Sequence, residues 1–249
     1  MELRDKVAVV TGGTRGIGAA TAVLLAQRGA DVAIVGRFDD AESRGTLFRI
    51  EATGRRGLLV TADVGKPDQA TACVRQALDR LGRVDVLVHS AGGAIAGNLL
   101  ELTPEAWHSA FDVHVHAVFH LCRAAVPDMK QRKEGAIVLI SSVAGIRGVH
   151  FNLAYQVVKG ALPQFARALA RELANDNIRV NCIAPGIIRT RFHDAMTPEQ
   201  KRHNLENRIP LHREGTPEQV ATLIAEVVTN DYITGETFVI DGGLTMRIA

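Results

Sequence analysis

The chain has no large excess of either charge. Twenty-nine Lys and Arg stand against 27 Asp and Glu, a net +2 over 249 residues. That is too little for a nucleic-acid surface. No apolar run is long enough to span a bilayer, and the opening Met1-Glu2-Leu3-Arg4-Asp5-Lys6 is too charged for a secretory signal. Cysteine is scarce: Cys73, Cys122 and Cys182 lie far apart, without metal-ligand spacing. They read as reduced, buried thiols, so the cytoplasm is the expected location, with neither a membrane nor a nucleic-acid partner. There is no linker, low-complexity tract or repeat of solenoid period. What remains is an ordinary globular balance, 47% hydrophobic and 22% charged, suited to one α/β domain over residues 1–249.

Strand-length apolar runs alternate with helix-length amphipathic segments. Strands are expected at Lys6–Val10, Asp31–Val35, Gly57–Thr61, Val84–His89, Ala136–Ser141, Ile178–Ala184 and Glu236–Ile240. Helices are expected at Gly16–Arg28, Asp40–Thr53, Pro67–Leu81, Pro104–Lys130, Asn152–Asn175 and Pro217–Thr229. This alternation predicts a mostly parallel sheet of about seven strands, with helices on both faces. Pro185–Thr216 has no clear period and carries three prolines and many charges. A loop that long in a compact domain is usually functional, and a substrate lid is placed at about 186–215. Pro163 falls inside a helix, where it removes the N–H bond to the Lys159 carbonyl and predicts a kink one turn beyond that lysine.

Thr11-Gly12-Gly13-Thr14-Arg15-Gly16-Ile17-Gly18 joins the first strand to the first helix. Glycines there permit a tight turn and close backbone approach to a pyrophosphate, and the helix N-terminus adds free N–H groups. Dinucleotide folds often place an acid at the end of the second strand to bind the ribose 2′-hydroxyl. Here that position is Gly36, followed by Arg37, with Arg15 nearby in the loop. Two guanidinium groups suit a 2′-phosphate, so NADP(H) is favoured over NAD(H). Asp39 and Asp40 leave NAD open, although they fit better as the start of the next helix.

Tyr155 and Lys159 are four apart and share a helix face, with Ser142 upstream. A phenol beside an ammonium ion is expected to have a lowered pKa and to exchange protons near neutrality. A nearby serine hydroxyl would hold a carbonyl or alcohol oxygen.

With these motifs the chain resembles the classical short-chain dehydrogenases/reductases over essentially its whole length. The resemblance rests on Thr11–Gly18, Asp63-Val64, Ala91-Gly92, the Ser142/Tyr155/Lys159 set, Asn181, Pro185-Gly186, Thr190 and Asp241-Gly242-Gly243. It implies a single Rossmann-type, doubly wound α/β domain. It also implies that Tyr155 is the acid/base, that Lys159 binds the nicotinamide ribose and lowers the Tyr155 pKa, and that Ser142 orients the substrate oxygen. The Gly12, Thr14, Arg15, Gly16, Ile17, Gly18 and Arg37 positions would hold the pyrophosphate and adenosine, with Asp63, Val64, Ala91 and Gly92 beside them. Pro185, Gly186, Ile188 and Thr190 would close over the nicotinamide. Homotetramers are usual in this family, with the Pro104–Lys130 and Asn152–Asn175 helices at one interface and the segment after Asp241 at another.

Three departures stand out. His114 occupies the position where the family usually has a catalytic Asn that holds a water in a proton path. It either joins that relay, since imidazole can shuttle protons, or merely packs. The usual Asn-Asn-Ala-Gly is His89-Ser90-Ala91-Gly92, which predicts weaker bracing of the central sheet. Finally, the 3-oxoacyl-carrier-protein reductases of the family tend to present basic residues to an acidic partner. Asp176 stands at one such position here, while Arg132 and Lys133 keep some charge at another. Sugar, polyol and small-ketone dehydrogenases therefore remain open as models, as does a non-catalytic dinucleotide sensor. Substrate contacts are expected from Gly93–Leu99, Gly145–Leu153 and the Arg189–His212 lid. The first two offer a mostly apolar wall, whereas Arg189, Arg191 and His193 could meet an anion.

Overall fold

A computed structural model of the chain describes residues 1–194 and 196–246. Ala195, inside the expected lid, and residues 247–249, in the C-terminal segment expected at an interface, lie outside the described residues. Seven strands form one parallel sheet in the order β3-β2-β1-β4-β5-β6-β7. They are β1 (Val7–Thr11), β2 (Asp31–Gly36), β3 (Gly57–Thr61), β4 (Val86–His89), β5 (Gly135–Ile140), β6 (Ile178–Pro185) and β7 (Thr237–Ile240). The helices are α1 (Gly16–Gln27), α2 (Ala41–Glu51), α3 (Pro67–Leu81), α4 (Pro104–Phe111), α5 (Ala117–Arg132), α6 (Leu153–Leu173), α7 (Pro198–His203) and α8 (Pro217–Thr229).

Alternate strand residues face opposite layers. Val9, Leu87, Ile137 and Leu139 pack with Leu121 and Met129 of α5 and Leu162 of α6. Ala8, Val10, Val86, Val88 and Val138 pack with Leu25 of α1 and Ile224 and Val228 of α8. Both faces are thus covered, which is why the strands read as unbroken apolar runs.

Strand order reverses between β1 and β4. The loops leaving their carboxyl ends diverge there and open the crevice in which doubly wound sheets bind ligands. One of those loops is Gly12–Arg15 and the other is Ser90–Gly92. They touch: a Cβ on Gly12 would stand 2.8 Å from Ala91 backbone atoms, and Gly12 has φ +64°.

The segment expected as one helix from Pro104 is interrupted. Asp112–His116 forms a π-turn between α4 and α5. Lid residues expected to lack pattern contain a 3-10 turn (Arg191–His193), α7 and a second π-turn (Asn204–Arg208). The two ends of the lid are tied by Gly215 N–H to Ile187 O and Arg189 N–H to Gly215 O, both 2.9 Å. α6 stays helical through Pro163, from Leu153 to Leu173. No helix among the described residues is long and apolar enough to cross a membrane.

Candidate active site

β5 ends in Ile140 and delivers Ser141 and Ser142 to the carboxyl edge of the sheet, where α6 lays Tyr155 and Lys159 beside them. The Ser142 hydroxyl accepts from Ala144 N–H at 3.1 Å and lies within hydrogen-bonding reach of the Tyr155 phenol. Lys159 is 6% exposed, and its ammonium donates to Ile140 O at 2.7 Å. It sits 5.7 Å from the Tyr155 ring centroid. The expected trio is therefore assembled.

Its electrostatics differ from expectation. Burial raises the Tyr155 pKa above the ordinary phenol value, outweighing the lowering by the Ser142 hydrogen bond. Burial also pushes the Lys159 ammonium down to about 8, with the nearby Cys182 thiol acting the other way. Lys159 points its hydrogen bond at a backbone carbonyl instead of at the phenol. The charge effect expected from the four-residue spacing is thus overtaken by desolvation.

His114 lies at the centre of the π-turn, 1% exposed, its ring edge-on to Tyr155 with centroids 5.9 Å apart. Nε2 is 3.2 Å from Gly93 O, which assigns the proton to Nε2. Nδ1 is buried with no hydrogen-bond partner among the described residues. Burial, then the charge of the Lys159 ammonium, pushes this imidazole down to about 2. The ring is therefore neutral and presents one unshared lone pair at Nδ1. Only glycine fits beneath it, because a Cβ on Gly92 would stand 2.0 Å from His114 Cε1.

The expected loss of bracing is also corrected. His89 itself bridges the elements: Nδ1 is 2.9 Å from Thr11 Oγ1 on β1, and Nε2 is 3.1 Å from Val113 O inside the π-turn. Buried from water, it is pushed down to about 3 and stays neutral. Sequence reasoning missed this role. The available signal was that histidine stands at both positions, 89 and 114, where amides were expected.

The glycine loop is built for close approach. Gly16 has φ +55°, and a Cβ on Gly18 would meet Gly12 O at 2.2 Å. Thr14 is buried and its carbonyl accepts from Thr46 Oγ1 at 3.0 Å, while Ile17 packs on the core. Arg15 pairs with Asp40 at 2.6 Å and Glu42 at 3.1 Å, and Arg191 of the lid shares Glu42 at 3.0 Å. Arg37 is exposed and lies over the Phe38 ring at 5.5 Å. Asp40 caps α2 through Ser43, and Asp39 pairs with Arg44 at 2.7 Å, as expected of acids that begin a helix.

Asp63 holds a turn by accepting from Gly65 N–H at 3.1 Å, and Val64 beside it is buried. Pro185 ends β6, and Gly186 N–H donates to Ile240 O at 2.9 Å. Ile188 is buried, and the Thr190 methyl lies 3.3 Å from where a Cβ on Gly16 would stand. The start of the lid thus borders the glycine loop.

The substrate-side loops form one wall. Gly97 N–H donates to Phe151 O at 2.9 Å, and the Gln156 amide grips Val149, accepting from its N–H at 2.7 Å and donating to its carbonyl. Phe192 of the lid covers Tyr155 with ring centroids 5.6 Å apart. The lid residues expected to meet an anion have other partners: Arg189 pairs with Glu214 at 3.3 Å, Arg191 with Glu42, and His193 Nδ1 lies 2.9 Å from Ile188 O.

Residues 12–245 match the protein family described as enoyl-(acyl carrier protein) reductase. The chain is 36% identical over 244 residues to a 3-oxoacyl-(acyl-carrier-protein) reductase of Chlamydia muridarum, covering 97% of this chain and 98% of the relative. It is 37% identical over 250 residues to dehydrogenase/reductase SDR family member 4 of Oryctolagus cuniculus, covering 99% and 96%. The chain belongs to the short-chain dehydrogenase/reductase family. Its fold superposes on L-sorbose reductase of Gluconobacter frateurii, solved with NADPH and L-sorbose, at a TM-score of 0.91, 30% identity and full coverage of both chains. Acetoin dehydrogenase of Enterobacter cloacae gives 0.87 at 34% identity, covering 97% and 96%. As a member of this family the protein is an oxidoreductase that uses a nicotinamide cofactor on carbonyl and alcohol groups.

Proposed function

We propose that the protein reduces an uncharged, partly apolar carbonyl compound with NADPH, with Tyr155 as proton donor. The observation that carries this reading is the convergence of Tyr155, Ser142 and Lys159 at the mouth of the β1/β4 crevice. Ser142 orients the carbonyl oxygen towards the phenol, and Tyr155 transfers its proton to that oxygen. A raised Tyr155 pKa keeps the phenol protonated, the state a donor needs. Lys159 holds the nicotinamide ribose, and the His114 Nδ1 lone pair accepts the next hydrogen bond inward.

NADPH fits the residues present. Gly12 and Gly16 hold the positive-φ turn that presents the α1 N-terminus to a pyrophosphate, with Thr190 of the lid beside Gly16; Pro185, Gly186 and Ile188 are read as the rest of the nicotinamide side. Arg37 is open to a 2′-phosphate, and Arg15 is within the same cluster although held by Asp40 and Glu42. When bound, the cofactor supplies the hydride. Arg189, Arg191 and His193, the lid residues expected to meet an anion, already have partners in Glu214, Glu42 and Ile188 O, which supports an uncharged substrate. Nicotinamide absorbance with a panel of neutral ketones and diketones, run with NADPH and with NADH, tests the reading. Turnover with a higher kcat/KM for NADPH is expected, and equal use of NADH contradicts the Arg15/Arg37 assignment.

The second reading is reduction of a 3-oxoacyl group on a carrier protein, favoured by the names of the relatives. Charge opposes it: Asp176 engages both Lys130 and Lys133, and Arg132 is held by Asp128 at 2.5 Å. A carrier-linked substrate is expected to react no better than a free ketone, and a clear preference for it reverses the order of the two readings. Binding without any turnover supports a sensor instead. Residues 1–249 are assigned to one domain with its lid at about 186–215. The chain is assigned to a homotetramer, a reading supported by exposed Phe119 and Val157 on α5 and α6. Three unpaired cysteines support action in the cytoplasm.

A further inference from the structure

Pro163 is the fourth residue after Lys159, and in an α-helix its N–H would be the donor to the Lys159 carbonyl. Proline has none, yet the carbonyl is not orphaned. It accepts from the Ser141 hydroxyl at 2.7 Å in a buried contact. The preceding residue, Ile140, accepts from the other end of the same lysine, Nζ to O at 2.7 Å. Two consecutive residues at the end of β5 therefore grip Lys159 by its backbone and by its side chain. Ser141 is itself immobilised. It is 2% exposed, its N–H donates to Ile183 O at 2.7 Å, and the Cys182 thiol lies within hydrogen-bonding reach of its hydroxyl. Gly145 closes on the same carbonyl, since a Cβ there would stand 2.7 Å from Lys159 O.

We propose that Ser141 is the positioning residue of Lys159, and that it replaces the helical donor which Pro163 removes. This rests on the role given to Lys159 above. Without the hydroxyl, the turn of α6 between Tyr155 and Pro163 keeps a buried acceptor with no donor. That turn relaxes by tilting, and the tilt carries Nζ and the phenol out of register with the substrate oxygen. Misplacement on the 1 Å scale is enough to slow a reaction by about 10²-fold.

A double-variant cycle tests it, reading kcat at saturating cofactor and substrate together with the melting temperature. Ser141→Ala is expected to lower kcat by about 10-fold or more, while Ser141→Thr, which keeps the hydroxyl, retains most of the rate. In Ser141→Ala/Pro163→Ala, the backbone N–H restored at position 163 refills the Lys159 carbonyl, and kcat returns to within about 2-fold of Pro163→Ala alone. If Ser141→Ala does not fold, recovery of folding and turnover in the double variant supports the inference equally. An undiminished loss of kcat in the double variant, or a Ser141→Ala protein with lowered melting temperature but full kcat, overturns it. Lys159→Ala separates the two levels. Full turnover in that variant contradicts the catalytic assignment itself, whereas an inactive Lys159→Ala with no rescue of Ser141→Ala by Pro163→Ala contradicts only the role of Ser141.

Discussion

At Tyr155, burial and a hydrogen bond act in opposite directions, and burial prevails. A phenol whose pKa is raised stays protonated through neutral pH, so carbonyl reduction has its donor ready, whereas alcohol oxidation must first remove that proton. The kcat/KM for oxidation is therefore predicted to climb with pH well above neutrality, while that for reduction holds level until the phenol ionises. Rate profiles in both directions check this. His89 and His114 carry a second pH dependence. Both are neutral in the folded chain, pushed to about 3 and about 2, but take up protons near 6.5 once unfolded. Between pH 6.5 and the carboxylate range the unfolded state binds about two more protons through these residues, so stability falls as pH falls. Urea unfolding across that window is expected to show the fall, and His89→Asn/His114→Asn to flatten it. The spacing of Tyr155 and Lys159 was legible because four residues on a helix fix a shared face. The direction of the lysine ammonium was not, because Ile140 O reaches it from another strand.

At the scale of elements, boundaries marked by local chemistry agree with expectation. Pro67 and Gly82 bracket α3, the latter at φ +90°, and Thr216 with Pro217 starts α8 through a capping box. The π-turn at Asp112–His116 was not legible, since no local residue of the segment, such as a proline or glycine, marks the change of hydrogen-bonding pattern. Its anchor is tertiary: His89 Nε2 takes Val113 O and aims His114 inward. Removing that anchor by His89→Ala leaves Val113 O and Thr11 Oγ1 without this partner and is predicted to lower unfolding free energy by about 1–3 kcal/mol. The end of α5 was missed for a similar reason. Arg132 extends the helix past Lys130 by pairing with Asp128 and donating to Val84 O at 2.8 Å, before Lys133 turns left-handed at φ +53°.

For the molecule as a whole, β-α alternation made the parallel sheet legible, and the strand order placed its switch between β1 and β4. The glycine loop, Ala91-Gly92 and the Tyr155 pair then meet at one edge because three connections leave the sheet on that side. The lid was legible only as a long proline-bearing loop, since its helices are held by ties between Ile187, Arg189 and Gly215. Coverage of both sheet faces also protects the thiols: burial pushes Cys73 and Cys122 up to about 12 and Cys182 up to about 11. A thiol reagent is predicted to label the native protein only at the rate of unfolding and the denatured chain at once. At the centre stands the proposal that Tyr155 moves the proton in the hydride-transfer reaction. That role is tested by nicotinamide-coupled turnover of a neutral ketone by the intact protein and by Tyr155→Phe, which removes one hydroxyl and keeps the ring against His114 and Phe192. A loss of about 10²–10⁴-fold in kcat is expected, with the cofactor still bound. A Tyr155→Phe protein that turns over at the unaltered rate would contradict that role.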